Sequence, residues 1–349
     1  MTDKAEPSLE SSADHAGDLP DVSILIVAYN SADLIEDCID SITPACRQHR
    51  FEILLIDNGD QATAHVVQAR YPQVRIVESR GNIGFAGGNN ALAEHARAPL
   101  LLLLNPDMEL EPCAIDALLD GAARHSDAAA WGGVTLNPEG APDSGNAIAM
   151  PSMTEFLSVV AGRSRIGSMP LKGVHEDARV DVVSGGFVMF SRSAWEAAGG
   201  LDERYFLYGE EVDLFYRLSK QGHAIWRIAD ARGFHKVGHG AGMSPMRLLY
   251  RAAGNMQFLH LHWSRIGAWT GGMLMWIAAL ERFLAGRLLG GVRPRMKAMG
   301  EGYRLVALKP HLWFSGYHPE TGLMAQLARN PFPEPRAQQS AEPSRSSAL

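Results

Sequence analysis

The sequence predicts an α/β fold, a mostly parallel sheet flanked by helices, with a C-terminal helical segment behind it. Three observations carry this prediction. Short, almost wholly apolar runs recur through the first third of the chain, at Val22–Ala28, Phe51–Ile56, Val74–Val77 and Leu100–Leu104. Helical patterns separate these runs. From Ser244 to about Leu308 the pattern is helical, with many aromatics and arginines. Apolar runs without polar alternation are what strands covered on both faces look like, and their alternation with helices implies βαβ units.

Right-handed crossovers bring the C-terminal ends of such strands to one edge, where ligands bind. The residues after each run therefore matter most. Tyr29-Asn30-Ser31 follows the first, where Asn30 or Ser31 is placed to cap a helix with apolar positions Leu34, Ile35, Cys38, Ile39 and Ile42. Asp57-Asn58-Gly59 follows the second, and a glycine-rich loop, Gly81–Asn90, the third. Asn105-Pro106-Asp107 follows the fourth. Four polar clusters thus converge on one edge. Further on, Asn137–Arg179 is loop-rich, Val182–Phe190 and Ala224–Ile228 read as strands, and Tyr208–Gln221 reads as a helix.

Composition narrows the class. The chain has 349 residues, 46% hydrophobic and 20% charged, which excludes a mostly disordered chain, a collagen repeat and a coiled coil. A net charge of −7 argues against a nucleic-acid binder. That charge is uneven: Ser244–Pro310 holds ten Lys/Arg against two Asp/Glu, inside an otherwise acidic chain. Cys38, Cys46 and Cys113 have no metal-ligand spacing, so a disulfide framework is not expected and a reducing, cytoplasmic compartment is. Met1–Pro20 is polar and acidic without a signal-peptide core, and both it and 331–349 read as flexible tails. The longest apolar stretch, Ile266–Leu280, falls short of the ~20 residues a spanning helix needs. With Arg282, Arg287, Arg293, Arg295 and Lys297 after it, the stretch suits the surface of an anionic membrane, or equally a buried helix with a solvated basic flank.

Several residues carry candidate chemistry. Asp57 at a strand end is able to accept from a base N–H or a ribose hydroxyl, although Asp-Asn-Gly is also a common turn. The glycines between Asn82 and Asn90 allow backbone to approach a phosphate closely, but match neither a Walker loop nor the dinucleotide spacing. Asp107 is suited to a hard divalent cation bridged to a diphosphate, or to capping a turn. In Glu210-Glu211-Val212-Asp213, Glu211 shares a stripe with Leu214, Phe215 and Leu218, while Glu210 and Asp213 lie off it and Asp213 is spaced to pair with Arg217. An inward carboxylate on an apolar stripe becomes more basic, as a general base must be. His235 and His239 sit in a glycine-rich loop as candidate metal or phosphate ligands.

These pieces together resemble the family 2 glycosyltransferases, the inverting GT-A group, and within it the bacterial rhamnosyltransferase-type members. The matching segments are VSILIVAYNS, ILLIDNG, RGNIGFAGGNN, LLLLNPD, VSGGFVMFSRSAWEAAGGLDERYFLYGEEVDLFYRL and FHKVGHGAGMS, spread in the family's order over about Asp21–Ser244. The resemblance implies a GT-A-type, Rossmann-like sheet. It implies a nucleotide-sugar-binding half over 21–136 and an acceptor and catalytic half over 137–243; beyond them, charge and periodicity read 244–310 as a helical, basic segment suited to a membrane surface or, equally, to burial in a C-terminal subdomain. By resemblance, Tyr29, Asn30, Asp57, Asn82, Gly84, Gly88 and Asn105 bind the nucleotide sugar. Asp107 and His235 hold Mg²⁺ or Mn²⁺, Glu211 or Glu210 is the base, and Asp202 and Glu203 shape the acceptor side. Two departures stand out: the usual Glu-Asp pair is Glu210-Glu211, and the Asp-x-Asp element is Asn-Pro-Asp.

The implied reaction moves rhamnose or another hexose from a nucleoside-diphosphate sugar to a glycan or lipid-linked saccharide in surface polysaccharide synthesis. Two rivals stand beside it. A sugar nucleotidyltransferase needs a basic glycine-rich loop early in the chain, which Val22–Ser31 does not offer. A sugar-nucleotide-binding or scaffold protein without turnover is distinguished by donor consumption.

Overall fold

The structure, a computed structural model, describes residues 19–142, 146, 148–163, 174–236 and 244–329. His239 and both predicted tails, apart from Leu19 and Pro20, lie outside the described residues. The first half alternates as its pattern dictates: β1 (Val22–Ala28), α1 (Ile35–Ala45), β2 (Phe51–Asp57), α2 (Ala62–Arg70), β3 (Val74–Val77), α3 (Gly84–His95) and β4 (Leu100–Leu104). There follow β5 (Met108–Leu110), α4 (Ala114–Arg124), β6 (Ala128–Leu136), α5 (Met153–Val160), β7 (Ala178–Arg179), β8 (Phe187–Ser191), α6 (Arg192–Ala198), α7 (Glu210–Lys220) and β9 (Ala224–His235). The C-terminal segment is α8 (Pro245–His262), α9 (Arg265–Leu289), α10 (Pro294–Leu308) and α11 (Leu323–Arg329).

The strands form one sheet in the order β3-β2-β1-β4-β8-β6-β9-β5, with β7 also paired to β9. β1, β2, β3 and β4 are mutually parallel. β8 runs against both β4 and β6, and β6 is parallel to β9, so most strands share one direction. Helices cover both faces. Ile24 and Ile26 of β1 bury against α1, α2 and α4, whereas Leu25 buries against α3, α6 and α7. This double burial explains why the apolar runs carry no polar alternation. The C-terminal helices have a core of their own, centred on Leu249, Met256, Phe258, Met275 and Trp313.

Four local expectations are corrected. No side chain caps α1; the Ser31 carbonyl accepts from Leu34 and Ile35 N–H instead, and Asn30 takes a left-handed φ of 51°. The glycine-rich stretch is mostly helix, because α3 begins at Gly84 and runs through Gly87 and Gly88. Val182–Phe190 is a strand only from Phe187, its earlier part joining Ile148 through an isolated bridge at Val182. β9 extends well past Ile228 to His235, with register shifts against β6. β5 and β6 carry no clear signal in the sequence: β5 is three residues long, and β6, AAAWGGVTL, is built largely of small residues.

Candidate active site

β1, β2, β3 and β4 end on the same edge, and the polar clusters after them meet there. Asp57 closes β2 and is 1% exposed. Its Oδ1 accepts from Gly59 N–H at 2.8 Å and its Oδ2 from Ala64 N–H at 3.0 Å, so it both turns the chain and starts α2. Asn30 lies against this turn: a Cβ on Gly59 would stand 2.9 Å from Asn30 Oδ1 and 3.1 Å from Asp57 Oδ1. Tyr29 beside it is 57% exposed.

Asn58 ties β2 to α3. Its N–H donates to the Ala28 carbonyl and its Nδ2 to the Gly84 carbonyl, both at 2.8 Å, while its buried Oδ1 has no hydrogen-bond partner among the described residues. Asn82 Oδ1 accepts from Gly84 N–H at 3.1 Å. Gly84 has a φ of 77°, and a Cβ there would lie 2.6 Å from the Phe206 carbonyl oxygen, so glycine is required twice over. Gly88 lies under Asn58, since a Cβ on it would stand 3.3 Å from Asn58 Nδ2. A Cβ on it would come within 2.8 Å of Val27 Cγ1, so its smallness seats α3 on β1.

The second part of the rim begins at Asn105, whose N–H donates to the Gly186 carbonyl at 2.9 Å. Asp107 follows and His235 meets it, with His235 Nε2 3.1 Å from Asp107 Oδ2. The cause is β5, which pairs antiparallel with the end of β9 and sets Met108 opposite His235. A carboxylate oxygen and an imidazole nitrogen are donor types that a divalent cation accepts. Among the described residues no group of three or more His, Cys, Asp or Glu side chains forms a complete protein cage. Lys236, next along, pairs with Asp37 at 2.6 Å and Glu109 at 2.8 Å.

The acidic pair reverses one expectation. Glu210 is 3% exposed, and its Oε2 has no hydrogen-bond partner among the described residues. Burial, and then the neighbouring Glu211, raise its pKa well above the usual carboxylate range. Glu211 is half-buried beside Gly185: a Cβ on Gly185 would touch both Phe85 and Glu211 Cβ, at 3.5 and 3.6 Å. Its Oε2 accepts from Gly209 N–H at 3.2 Å. Burial raises its pKa too, against the lowering effect of backbone hydrogen bonds and of Arg251. Asp213 does pair with Arg217 at 2.7 Å, but it is buried and also meets His262 Nε2 at 2.5 Å. The side of α7 that looked solvent-facing in sequence is covered by the C-terminal helices.

Those helices also brace the loop that leads into α7, a role the sequence reading missed. Tyr317 OH donates to the Leu207 carbonyl, and Phe206 stacks on Tyr250 at 5.9 Å. Tyr208 and Gly209 both take left-handed φ values, 66° and 99°. A Cβ on Gly254 would run into the Tyr208 carbonyl oxygen. A glycine inside a long helix pattern was the available signal. Asp202 and Glu203 are engaged in structure: Asp202 with Arg204 at 2.6 Å, Glu203 with Asn90 Nδ2 at 3.0 Å.

Comparison with known proteins bears on the family and the fold. Residues 23–198 match the profile of Glycosyl transferase family 2. The N-acetylglucosaminyl-diphospho-decaprenol L-rhamnosyltransferase of Mycobacterium tuberculosis is 29% identical over 247 residues, 64% of this chain and 78% of that protein. Rhamnosyltransferase WbbL of Escherichia coli is 24% identical over 228 residues, 62% of this chain and 84% of that one. The mannosyltransferase PcManGT of Pyrobaculum calidifontis, solved with GDP-Man and Mn²⁺, superposes with a TM-score of 0.55 over 83% of this chain and 86% of its own, at 16% identity. The chain belongs to glycosyl transferase family 2 and is a glycosyltransferase.

Proposed function

We propose that the protein transfers rhamnose, or a related hexose, from a nucleoside-diphosphate donor to a lipid-linked or glycan acceptor in cell-surface polysaccharide or glycolipid synthesis. The observation that best supports this reading is Asp107 against His235, at the sheet edge where Asp57, Asn58 and Gly84 also lie; Glu211, at the start of α7, is read as facing that edge. Two relatives named for rhamnosyl transfer, one with a diphospho-decaprenol acceptor, favour the donor and the acceptor class.

In this reading Tyr29, Asn30, Asp57, Asn82 and the strand-end backbone hold the nucleoside, and Asn105 borders the diphosphate. Asp107 and His235 hold Mg²⁺ or Mn²⁺. When bound, the cation neutralises charge on the departing diphosphate. Glu211 accepts the proton of an acceptor hydroxyl as its oxygen bonds to the anomeric carbon. The bond from that carbon to the diphosphate breaks, and the nucleoside diphosphate leaves with its electron pair. One displacement inverts the configuration. Glu211 suits this role because burial makes it more basic. Glu210 is enclosed beneath it and is not placed to reach an acceptor.

A screen of nucleotide sugars with mass-detected transfer tests the reading. dTDP-rhamnose consumption with a product gaining one deoxyhexose is the expected result. Donor binding without turnover across all donors and both acceptor classes would overturn it.

A further inference from the structure

Helix α9 is apolar on the side that faces away from its own bundle. Its inward face is made mostly of small residues, with Ala268, Gly271, Gly272, Ala278, Ala279 and Gly286 buried beside Met275. Close packing uses that smallness: a Cβ on Gly271 would lie 2.8 Å from Leu259 Cδ1, and one on Gly286 2.5 Å from Gly300 Cα. The outward face is large. Ile266, Trp269, Met273, Ile277, Leu284 and Leu288 follow at spacings of three, four and seven residues, which align on one side of a helix. Ile266 and Leu288 are each 80% exposed, Trp269 59% and Leu284 48%. From first to last the stripe runs about 33 Å at the helical rise. Met273 and Ile277 in its middle are half-buried, so the strongly exposed residues lie towards its two ends; large apolar side chains exposed along one helix face mark an interaction surface.

Basic side chains frame it. Arg265, Arg287, Arg293, Arg295 and Lys297 are exposed at its two ends, and Glu281 is the sole acidic residue of α9. Near Leu288 a cleft of about 350 Å³ opens between α9 and α10, with Arg287, Gly290, Lys297 and Glu301 in its lining. No helix among the described residues is long and apolar enough to cross a membrane. An apolar stripe edged with cations instead suits a helix lying in the interfacial plane of an anionic leaflet. The charge also selects the occupant: two copies of this chain packed through the face would set basic ends against each other.

We propose that the outward face of α9 docks on a bilayer surface carrying anionic phospholipid, with Ile266, Trp269, Leu284 and Leu288 in the interface and Arg287 and Lys297 on headgroup phosphates. This goes beyond the transfer reaction and does not depend on it. The test is flotation of the full chain with phosphatidylcholine vesicles, with and without phosphatidylglycerol. The chain is expected to float only with the phosphatidylglycerol vesicles, less so at high salt. Ile266→Glu with Leu288→Glu is expected to reduce partitioning by more than about tenfold. Arg287→Glu with Lys297→Glu is expected to weaken it on the anionic vesicles by about tenfold or more. All four sites are exposed, and unchanged melting temperature and unchanged transfer to a water-soluble acceptor separate docking from folding. Wild-type chain that stays with the unbound fraction would overturn the proposal, as would apolar-face variants that float like wild type. A wild-type dimer dissolved by the same substitutions would assign the face to self-association instead.

Discussion

His235 Nε2 stands 3.1 Å from Asp107 Oδ2, and the short strand β5 between Asp107 and α4 is what brings them together. Asp107→Ala is expected to lower transfer by about two to three orders of magnitude. Chelation is expected to stop wild-type turnover, with Mg²⁺ or Mn²⁺ restoring it. His235→Ala is expected to keep turnover at saturating cation but raise the concentration needed by about 10–100-fold. Activity titrated against cation concentration reads both effects. Full activity in chelator would remove the metal assignment.

Glu210 and Glu211 are adjacent in sequence but serve different ends. Glu211→Gln is expected to cut kcat by about 10²–10⁴-fold with donor affinity kept. Glu210→Gln, a near-isosteric neutral replacement of a buried group, is expected to leave kcat within a few-fold. Single-turnover kinetics on the two purified variants decide which is the base. A reversed pattern would transfer the role to Glu210.

The raised pKa of Glu210 has a stability consequence. A carboxyl whose folded pKa lies above its unfolded value favours the folded state fully at low pH, and that contribution is lost as pH rises toward the folded pKa. Glu210→Gln removes the titration. The melting temperature of the variant relative to wild type is therefore expected to climb from about pH 4 upward. Thermal unfolding across pH 4 to about pH 8 measures it. A flat difference would mean that Glu210 is not buried as an acid.

The loop before α7 depends on residues far downstream. Gly254→Ala forces the Tyr208 carbonyl to move and is expected to cost about 1–3 kcal/mol. Tyr317→Phe removes the hydrogen bonds to the Leu207 and Tyr250 carbonyls and is expected to cost about 1–2 kcal/mol. Because this loop aims Glu211, both variants are expected to lose kcat more than donor affinity. Unfolding curves alongside steady-state kinetics test the pair. Normal kcat in both folded variants would make the brace purely structural.

The sequence alone determined the parallel half of the sheet. Apolar runs such as Leu100–Leu104 must be covered on both faces, and parallel connectivity then sends Asp57, Asn82 and Asp107 to one edge. It also marked the acidic helix start and the basic, helical C-terminal segment. What it missed depends on partners distant in the chain. Helical spacing placed Glu211 on the apolar stripe and Glu210 off it, but α8 and Tyr317 cover α7 from the other side, so Glu210 is the enclosed acid. Periodicity within one helix reports which residues are apolar, not which neighbour buries the remaining face. Composition marks where side chains are missing from the Gly81–Asn90 stretch, but not that α3 begins at Gly84 or that Val27 and Phe206 atoms pack against Gly88 and Gly84. Only the assembled fold decides which backbone approaches a ligand and which approaches another strand.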